Sequence, residues 1–187
     1  NGRRRQRQMC IRDSIKSFFS KKENKILITI ARAGNVIGGG DWSENRLIPD
    51  CIKSYSNNKK MLVRNPNSTR PWQHVLEVLN GYVNLAEHLN KNNKIHGEAF
   101  NFGPNKKNYS VKEVLKKINI FCKEFNWKTH KNRNKFFENT LLNLDSNKAR
   151  KILRWKTKLD FTKTIKMTID WYKNCLLYTS PSPRDNR

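Results

Sequence analysis

The stretch Arg32-Ala-Gly-Asn-Val-Ile-Gly-Gly-Gly-Asp-Trp42 decides the fold, with Arg46-Leu-Ile-Pro-Asp50 just behind it. The apolar run at residues 26–30 leads into it and predicts a buried strand. Four glycines between positions 34 and 40 then predict a turn in which backbone can approach a ligand closely, because no Cβ intervenes. A strand, a glycine-rich loop and a helix in this order are typical of an open α/β sheet, where ligands bind at the carboxyl ends of strands.

Strands and helices are expected to alternate along the rest of the chain. The predicted strands cover residues 26–31, 61–63, 99–103 and 141–144. Apolar spacing predicts helices that begin near Pro49, Val75, Ser110, Asp145 and Asp160, with capping residues at the last three. The face expected to be buried on the second helix consists of Val75, Val78, Leu79, Tyr82, Leu85, Ala86 and Leu89. This alternation predicts part of an α/β domain.

Both ends of the chain look foreign to the protein. Residues 4–14 match the translation of a transposase-type sequencing adapter, and residues 175–185 resemble the partner adapter in reverse complement. We therefore expect residues 1–14 and 175–187 to be adapter-derived, and residues 15–174 to be a native segment cut at both ends. The alternative is a basic disordered tail at one end and a Ser-Pro linker at the other.

The formal net charge of +24 suggests a nucleic-acid-binding module, and that function stays open as an alternative. Two features argue against it. Most basic residues within 15–174 are lysines scattered among asparagines, as AT-rich codon usage would produce. They form no block of five or more and do not interleave regularly with aromatic residues. We therefore expect no nucleic-acid partner.

The cysteines and the apolar runs indicate a cytoplasmic location. Cys51 and Cys122 lie on apolar helix faces within residues 15–174, without paired spacing or a metal-binding pattern, which fits a reducing compartment. No apolar run approaches 18 residues, so neither a membrane span nor a membrane partner is expected. About 160 residues suffice to bury one core.

Polar residues around the glycine-rich stretch form a candidate anion site. Asn35 lies in the turn, Arg46 precedes a helix, and Arg64 and Arg70 lie in a segment stiffened by two prolines. A guanidinium group binds phosphate in a bidentate manner, and a stiff loop loses little entropy on binding. The alternative for each arginine is ordinary solvent exposure. The sequence contains no zinc-ligand spacing, Walker loop or nucleophile elbow.

The chain resembles the extended short-chain dehydrogenase/reductase family of nucleotide-sugar enzymes over nearly all of residues 15–174. The Gly-Gly-Gly-Asp-Trp extension and Arg-Pro-Trp-Gln-His-Val-Leu-Glu are similar to the branch that acts on CDP-glucose. A sibling epimerase or dehydratase acting on another nucleotide is the alternative. The segments that carry the likeness are residues 32–42, 46–50, 64–67, 70–77, 101–104, 144–150 and 170–172.

The resemblance implies a Rossmann-type α/β fold, with this chain holding the last elements of the parallel sheet and the smaller substrate-binding domain. It implies NAD as cofactor in an internal redox cycle: hydride leaves C4 of the sugar, water is eliminated across C5–C6, and the hydride returns to C6. The implied product is the 4-keto-6-deoxy sugar nucleotide used in surface polysaccharide. A homo-oligomer is also implied for the complete enzyme.

The same resemblance implies roles for six residues. Asn35 would contact the substrate phosphates and Arg70 would clamp the pyrophosphate. Arg46 and Leu47 would line the sugar-nucleotide cleft. Arg64 and Asn108 would contact the nucleotide. The complete set is Asn35, Arg46, Leu47, Arg64, Arg70 and Asn108.

The chain also departs from the family pattern. It has no Gly-x-x-Gly-x-x-Gly dinucleotide fingerprint. The catalytic Tyr-x-x-x-Lys and the acid–base residues are expected upstream of Ile15, outside this chain. The chain alone should therefore be inactive, hold NAD poorly and aggregate through exposed strand edges. Arg154 stands where the family usually has glycine, and Thr157 where it usually has proline; both are interpreted as drift at a helix end.

Overall fold

The computed structural model describes residues 10–11, 13–15, 17–19, 25–104, 108–129 and 143–179, and of residues 177–179 only the backbone. The strands are β1 (Ile30–Ala33), β2 (Asn35–Ile37), β3 (Met61–Val63), β4 (Thr69–Arg70), β5 (Trp72–His74), β6 (Ala99–Phe102), β7 (Tyr109–Ser110) and β8 (Trp127–Thr129). The helices are α1 (Leu47–Ser56), α2 (Val75–Lys91), α3 (Val111–Phe121), α4 (Asn147–Leu153) and α5 (Phe161–Thr179), with a 3₁₀ turn at Asn93–Ile95. The described residues between 10 and 19 are also helical.

The strand pairing is mainly parallel. β1 pairs with β6, β2 with β5 and β3 with β8, all in parallel, whereas β4 and β7 are antiparallel. Gly34 separates β1 from β2, so the chain pairs first with β6 and then with β5. Parallel strands joined through helices confirm the predicted α/β class.

Apolar side chains form two cores. The larger core joins β2, β3 and β5 to helices α1, α3 and α5. The second core lies between α2, α4 and β6, where the Phe102 ring meets Tyr82 and Trp155 edge-on at centroid distances of 5.6 and 5.1 Å. The larger core contains Ile37, Ile48, Cys51, Ile52, Met61, Val63, Trp72, Val114, Leu115, Ile118, Cys122, Phe125, Ile165, Ile169 and Tyr172. The second contains Leu85, Ile95, Phe100, Phe102, Ala149, Leu153 and Trp155.

Local hydrogen bonds begin three of the helices at or near the predicted caps. Ser110 and Glu113 form a complete capping box on α3, and Asp160 accepts from the Lys163 amide at 2.7 Å at the start of α5. At α4 the acceptor for the Asn147 amide is Asp145, at 2.8 Å, whereas the neighbouring Ser146 makes no side-chain cap. These caps are confirmed, with Asp145 rather than Ser146 serving α4.

Two predicted strands are wrong in extent. β1 begins only at Ile30, and Ile26 is 55% exposed, because the chain before β1 has other partners. The Ile28 amide donates to the His96 side chain at 3.1 Å and the Thr29 hydroxyl donates to the Glu98 carbonyl at 2.7 Å. In the predicted strand at 141–144, residues 143–144 have no regular structure and residues 141–142 lie outside the described residues.

The predicted buried face of α2 is only half covered. Val78 and Leu85 are buried, but Leu79 is 48% exposed, and Leu76 and Val83 also face outward. α2 and residues 27–31 also border an open apolar groove of about 380 Å³. We call this the α2 groove; its lining is Leu27, Ile28, Thr29, Ala31, Tyr82, Leu85, Ala86 and Leu89. None of the described helices is long and apolar enough to cross a membrane.

Candidate functional site

The glycines of the Gly34–Gly40 turn are packed against the protein itself. A Cβ on Gly34 would lie 2.7 Å from the carbonyl oxygen of Pro71, and one on Gly38 would lie 2.6 Å from the Val75 side chain. A Cβ on Gly39 would overlap the indole of Trp171. The space next to these three glycines is therefore occupied by the protein itself. Gly40 serves the turn instead, with φ of 84°.

Helix α5 holds the segment that follows the glycines. The hydroxyl of buried Tyr172 donates to the Asp41 carbonyl at 2.6 Å, and its ring meets Trp42 edge-on at 5.2 Å. The Lys53 ammonium donates to the Trp42 carbonyl at 3.0 Å. The Asp41 carboxylate accepts from the Ser43 amide at 3.0 Å, and this bond lowers the pKa of Asp41. The segment between β2 and α1 is thus held by Tyr172 of α5, by Lys53 of α1 and by its own bond between Asp41 and Ser43.

Two of the predicted arginines lie near the start of α1. Arg46 is the exposed N-cap residue, and no side chain caps the first turn. Arg64, directly after β3, donates to the Asn45 side chain at 3.5 Å, next to Arg46 in sequence. The unbonded amides of a helix start favour anions. The first group of site residues therefore combines two positive side chains with a helix start at which the N-cap residue makes no side-chain cap.

The other polar residues lie around Pro71. The antiparallel register pairs Arg70 with Tyr109, which sets Asn108 beside Pro71. The Asn35 amide donates to the Pro71 carbonyl at 3.1 Å. Arg70 is half-buried and also donates to the Thr69 carbonyl at 2.8 Å. Asn35, Arg70 and Asn108 therefore form a second group, connected to the first by the glycine-rich turn.

Leu47 differs from the other predicted site residues. Its half-buried side chain packs against the larger core, so only part of its surface is open to a ligand. It supplies an apolar contact next to Arg46, and the core fixes its position.

The Arg70–Glu77 stretch, which carries much of the family resemblance, acts mainly as a scaffold. The buried Trp72 indole donates to the Tyr109 carbonyl at 2.9 Å and thereby holds β7 beside β4. The buried Gln73 amide group donates to the Phe102 carbonyl at 2.6 Å and connects β5 to β6. These bonds set the relative positions of Arg70 and Asn108.

The end of this stretch begins α2 and fastens a distant loop. His74 accepts from the Leu76 amide at 3.2 Å, and burial lowers the pKa of His74, which favours the neutral ring that can accept. Glu77 is buried and accepts from the backbone amides of Lys158 and Leu159, at 2.8 and 2.6 Å. The sequence analysis missed this role of Glu77, because its partners are backbone amides that lie about 80 residues away in the chain.

A Tyr-x-x-x-Lys spacing does occur in the chain, at Tyr55 and Lys59. Helix α1 ends at Ser56, between these two residues, and Asn58 has a φ of 51°. Tyr55 packs against the larger core, whereas Lys59 is exposed. The two residues therefore do not lie on one helical face.

Neither the sequence motifs nor the described residues provide a recognisable site for a dinucleotide. The Gly-x-x-Gly-x-x-Gly spacing occurs nowhere in the sequence. At Gly34, Gly38 and Gly39 the space next to the backbone belongs to Pro71, Val75 and Trp171. Within the described ranges, no group of three or more His, Cys, Asp or Glu residues could hold a metal ion. The residues present therefore do not fit NAD.

Comparison with known proteins identifies the family. The model of the NAD dependent epimerase/dehydratase family matches residues 19–103. CDP-glucose 4,6-dehydratase of Salmonella typhimurium is 37% identical over 162 residues, which are 84% of this chain and 45% of that protein. The chain thus spans less than half the length of this relative.

Solved structures share the fold at lower identity. The epimerase Mth375 of Methanothermobacter thermautotrophicus superposes with a TM-score of 0.75 at 20% identity, over 91% of this chain and 48% of that one. dTDP-glucose 4,6-dehydratase of Bacillus anthracis, solved with NAD, gives a TM-score of 0.65 at 19% identity, over 89% and 49%. The chain therefore belongs to the NAD dependent epimerase/dehydratase family, as a homologue of CDP-glucose 4,6-dehydratase.

Proposed function

We propose that the chain forms the substrate-binding side of a nucleotide-sugar dehydratase that converts CDP-glucose to CDP-4-keto-6-deoxyglucose. The observation that carries this proposal is the grouping of Arg46 with Arg64 at the start of α1, and of Arg70 with Asn108 beside Pro71. The identity to the Salmonella enzyme supports CDP-glucose as the substrate.

The two groups suit the parts of such a substrate. A diphosphate carries negative charge that guanidinium groups bind in a bidentate manner and that the start of a helix stabilises. We assign the phosphates to Asn35 and Arg70, and the sugar-nucleotide cleft to Arg46 and the apolar surface of Leu47. Arg64 and Asn108 are assigned to the nucleotide.

The proposal extends to the parts of the complete enzyme. Residues 15–174 would supply the last elements of the parallel sheet and the substrate-binding domain, with residues 1–14 and 175–187 adapter-derived. Because the residues present do not fit NAD, the cofactor and the catalytic Tyr-x-x-x-Lys would belong to another segment of the complete enzyme. The 187-residue chain alone should then bind the nucleotide but not turn over CDP-glucose.

Isothermal titration calorimetry with CDP, UDP and dTDP tests this function. CDP should bind the chain about tenfold more tightly than dTDP. Arg70→Ala should weaken CDP binding by about tenfold, which corresponds to about 1.4 kcal/mol. The control Arg154→Ala also removes one guanidinium, from an exposed site on α4, and should leave CDP binding unchanged.

Three results would contradict the proposal. Tighter binding of dTDP would point to a sibling enzyme that uses another nucleotide. Equal losses in Arg70→Ala and Arg154→Ala would indicate non-specific attraction to a basic protein. Micromolar binding of duplex DNA with a steep salt dependence would favour the nucleic-acid-binding alternative.

A further inference from the structure

The Tyr172 hydroxyl makes a contact that packing alone does not require. Its ring is fully buried in the larger core, and the ring supplies the apolar contacts of α5. The hydroxyl lies at the edge of this core and donates to the Asp41 carbonyl at 2.6 Å. Asp41 follows directly after the three consecutive glycines. A core side chain thus bonds to the backbone directly after three residues that have no side chain to restrict it.

We propose that Tyr172 is a positioning residue of the nucleotide-sugar site, holding residues 38–42 so that Arg46 and the first turn of α1 face the ligand. This inference rests on the proposed function. Tyr172 acts through the backbone that joins the two site groups, by its bond to the Asp41 carbonyl.

The geometry of the segment supports a dedicated tether. Trp171 lies against the backbone at Gly39, and Trp42 meets the Tyr172 ring edge-on, so neighbouring residues of one helix hold both ends of the segment. A rigid connection between Asn35 and Arg46 reduces the conformational entropy that binding must remove. Without the hydroxyl, the Asp41 carbonyl loses its helix partner, and the glycines allow the segment to move away.

The test removes only the hydroxyl. Tyr172→Phe keeps the ring, and with it the contacts to Trp42 and to the core. The matched control is Thr168→Val, which also removes a buried hydroxyl from α5, one that bonds only to the Thr164 carbonyl of the same helix at 2.9 Å. Hydrogen exchange of residues 38–46, CDP affinity and the urea midpoint are measured for both variants and the unmodified chain.

Tyr172→Phe should speed amide exchange in residues 38–46 about tenfold and weaken CDP binding about fivefold. Thr168→Val should change neither quantity, although both variants lower the urea midpoint by similar amounts. This pattern separates positioning from stability, since a merely structural hydroxyl would produce the same result in both variants.

Three outcomes would overturn the inference: exchange in residues 38–46 that is unchanged in Tyr172→Phe, faster exchange with unchanged CDP affinity, or equal changes in Thr168→Val. If the unmodified chain does not bind CDP, the proposed function fails. The exchange data then still decide whether Tyr172 holds residues 38–42. Unchanged exchange in Tyr172→Phe would reject that role too.

Discussion

The two cores of the molecule differ in how completely the chain covers them. Around the larger core, α3 and α5 pack on each other and on α1, and their central side chains are fully buried. Around the second core, α2 buries one side against Phe100 and Phe102 and leaves Leu76, Leu79 and Val83 exposed. The amphipathic helices α3 and α5 thus have their apolar faces covered, whereas the apolar residues of α2 are covered only in part.

The difference shows which part of the molecule can be stable on its own. The residues proposed to bind the nucleotide lie beside the larger core, where α1 begins and where β4 meets β7. The α2 groove is lined by α2 and residues 27–31, and none of the proposed nucleotide-binding residues lines it. We expect ligand binding to depend on the larger core and aggregation to depend on the α2 groove.

The largest expected difference in stability is between a leucine truncated in the larger core and one truncated on the exposed side of α2. Leu115→Ala removes a fully buried side chain from the larger core and should cost about 3 kcal/mol of unfolding free energy. Leu79→Ala, on the exposed side of α2, should cost about 0.5 kcal/mol or less. Urea unfolding measures both values, and equal losses would show that a partner covers α2 in solution.

The next largest loss of stability is expected where Glu77 of α2 bonds to the loop that precedes α5. Glu77→Ala leaves the amides of Lys158 and Leu159 without their carboxylate and should cost about 2–3 kcal/mol. Glu77→Gln keeps an acceptor oxygen and should lose about half as much. Thermal unfolding and amide exchange at residues 158–159 report the effect. If Glu77→Ala unfolded at the same temperature as the unmodified chain, the bonds from Glu77 to the two amides would contribute nothing to stability.

A smaller change in stability, of opposite sign, is expected at Arg154, the exposed residue that ends α4 beside the second core. Arg154 has a φ of 52°, in the left-handed region where glycine is favoured, so Arg154→Gly should stabilise the chain by about 1 kcal/mol. Arg154→Ala removes the same side chain but keeps the strained backbone. A similar gain in both variants, measured by urea unfolding, would attribute the effect to lost charge repulsion instead.

The smallest effect is a pH dependence at the junction of β5 and α2. Burial lowers the pKa of His74 below its ordinary value of 6.5, so the unfolded chain takes up a proton at higher pH than the folded chain does. The stability that the neutral ring contributes is therefore complete above 6.5 and is lost as the pH falls through the folded-state pKa.

His74→Asn keeps a capping acceptor that does not titrate, so it should lose less stability between about pH 7 and about pH 5. Urea midpoints at the two pH values give the comparison. The lowered pKa of Asp41 places its own effect below 3.8, outside this range. Parallel pH profiles for the two proteins would show that His74 takes up its proton at the same pH in the folded and the unfolded chain.

Local signals in the sequence were sufficient for the helix starts and insufficient for the strand edges. Ser110 and Asp160 cap their helices through residues three positions away, so the pattern contains all the required information. The apolar run at 26–30 shows that burial is favourable, but not which element provides it. Residues 28 and 29 bond to His96 and Glu98, and the α2 groove remains open beside them.

The site was predictable only in its residue types. Arginine beside proline and at a helix start indicated anion binding, but the neighbourhood of Arg70 and Asn108 depends on a pairing of two-residue strands. Such a short pairing leaves no periodic pattern, and the family resemblance was the only signal for Asn108. The partners of the glycines were equally hidden, because Trp171 lies far from Gly39 in sequence.

The contact between Gly39 and Trp171 makes the two positions dependent on each other in evolution and in engineering. A side chain introduced at Gly39 would occupy the volume of the indole, so it becomes tolerable only when Trp171 is replaced by a smaller residue. A double-mutant cycle at the two positions should therefore show strong positive epistasis. Transplanting the glycine-rich turn into another scaffold would require the matching turn of α5 to be transferred with it.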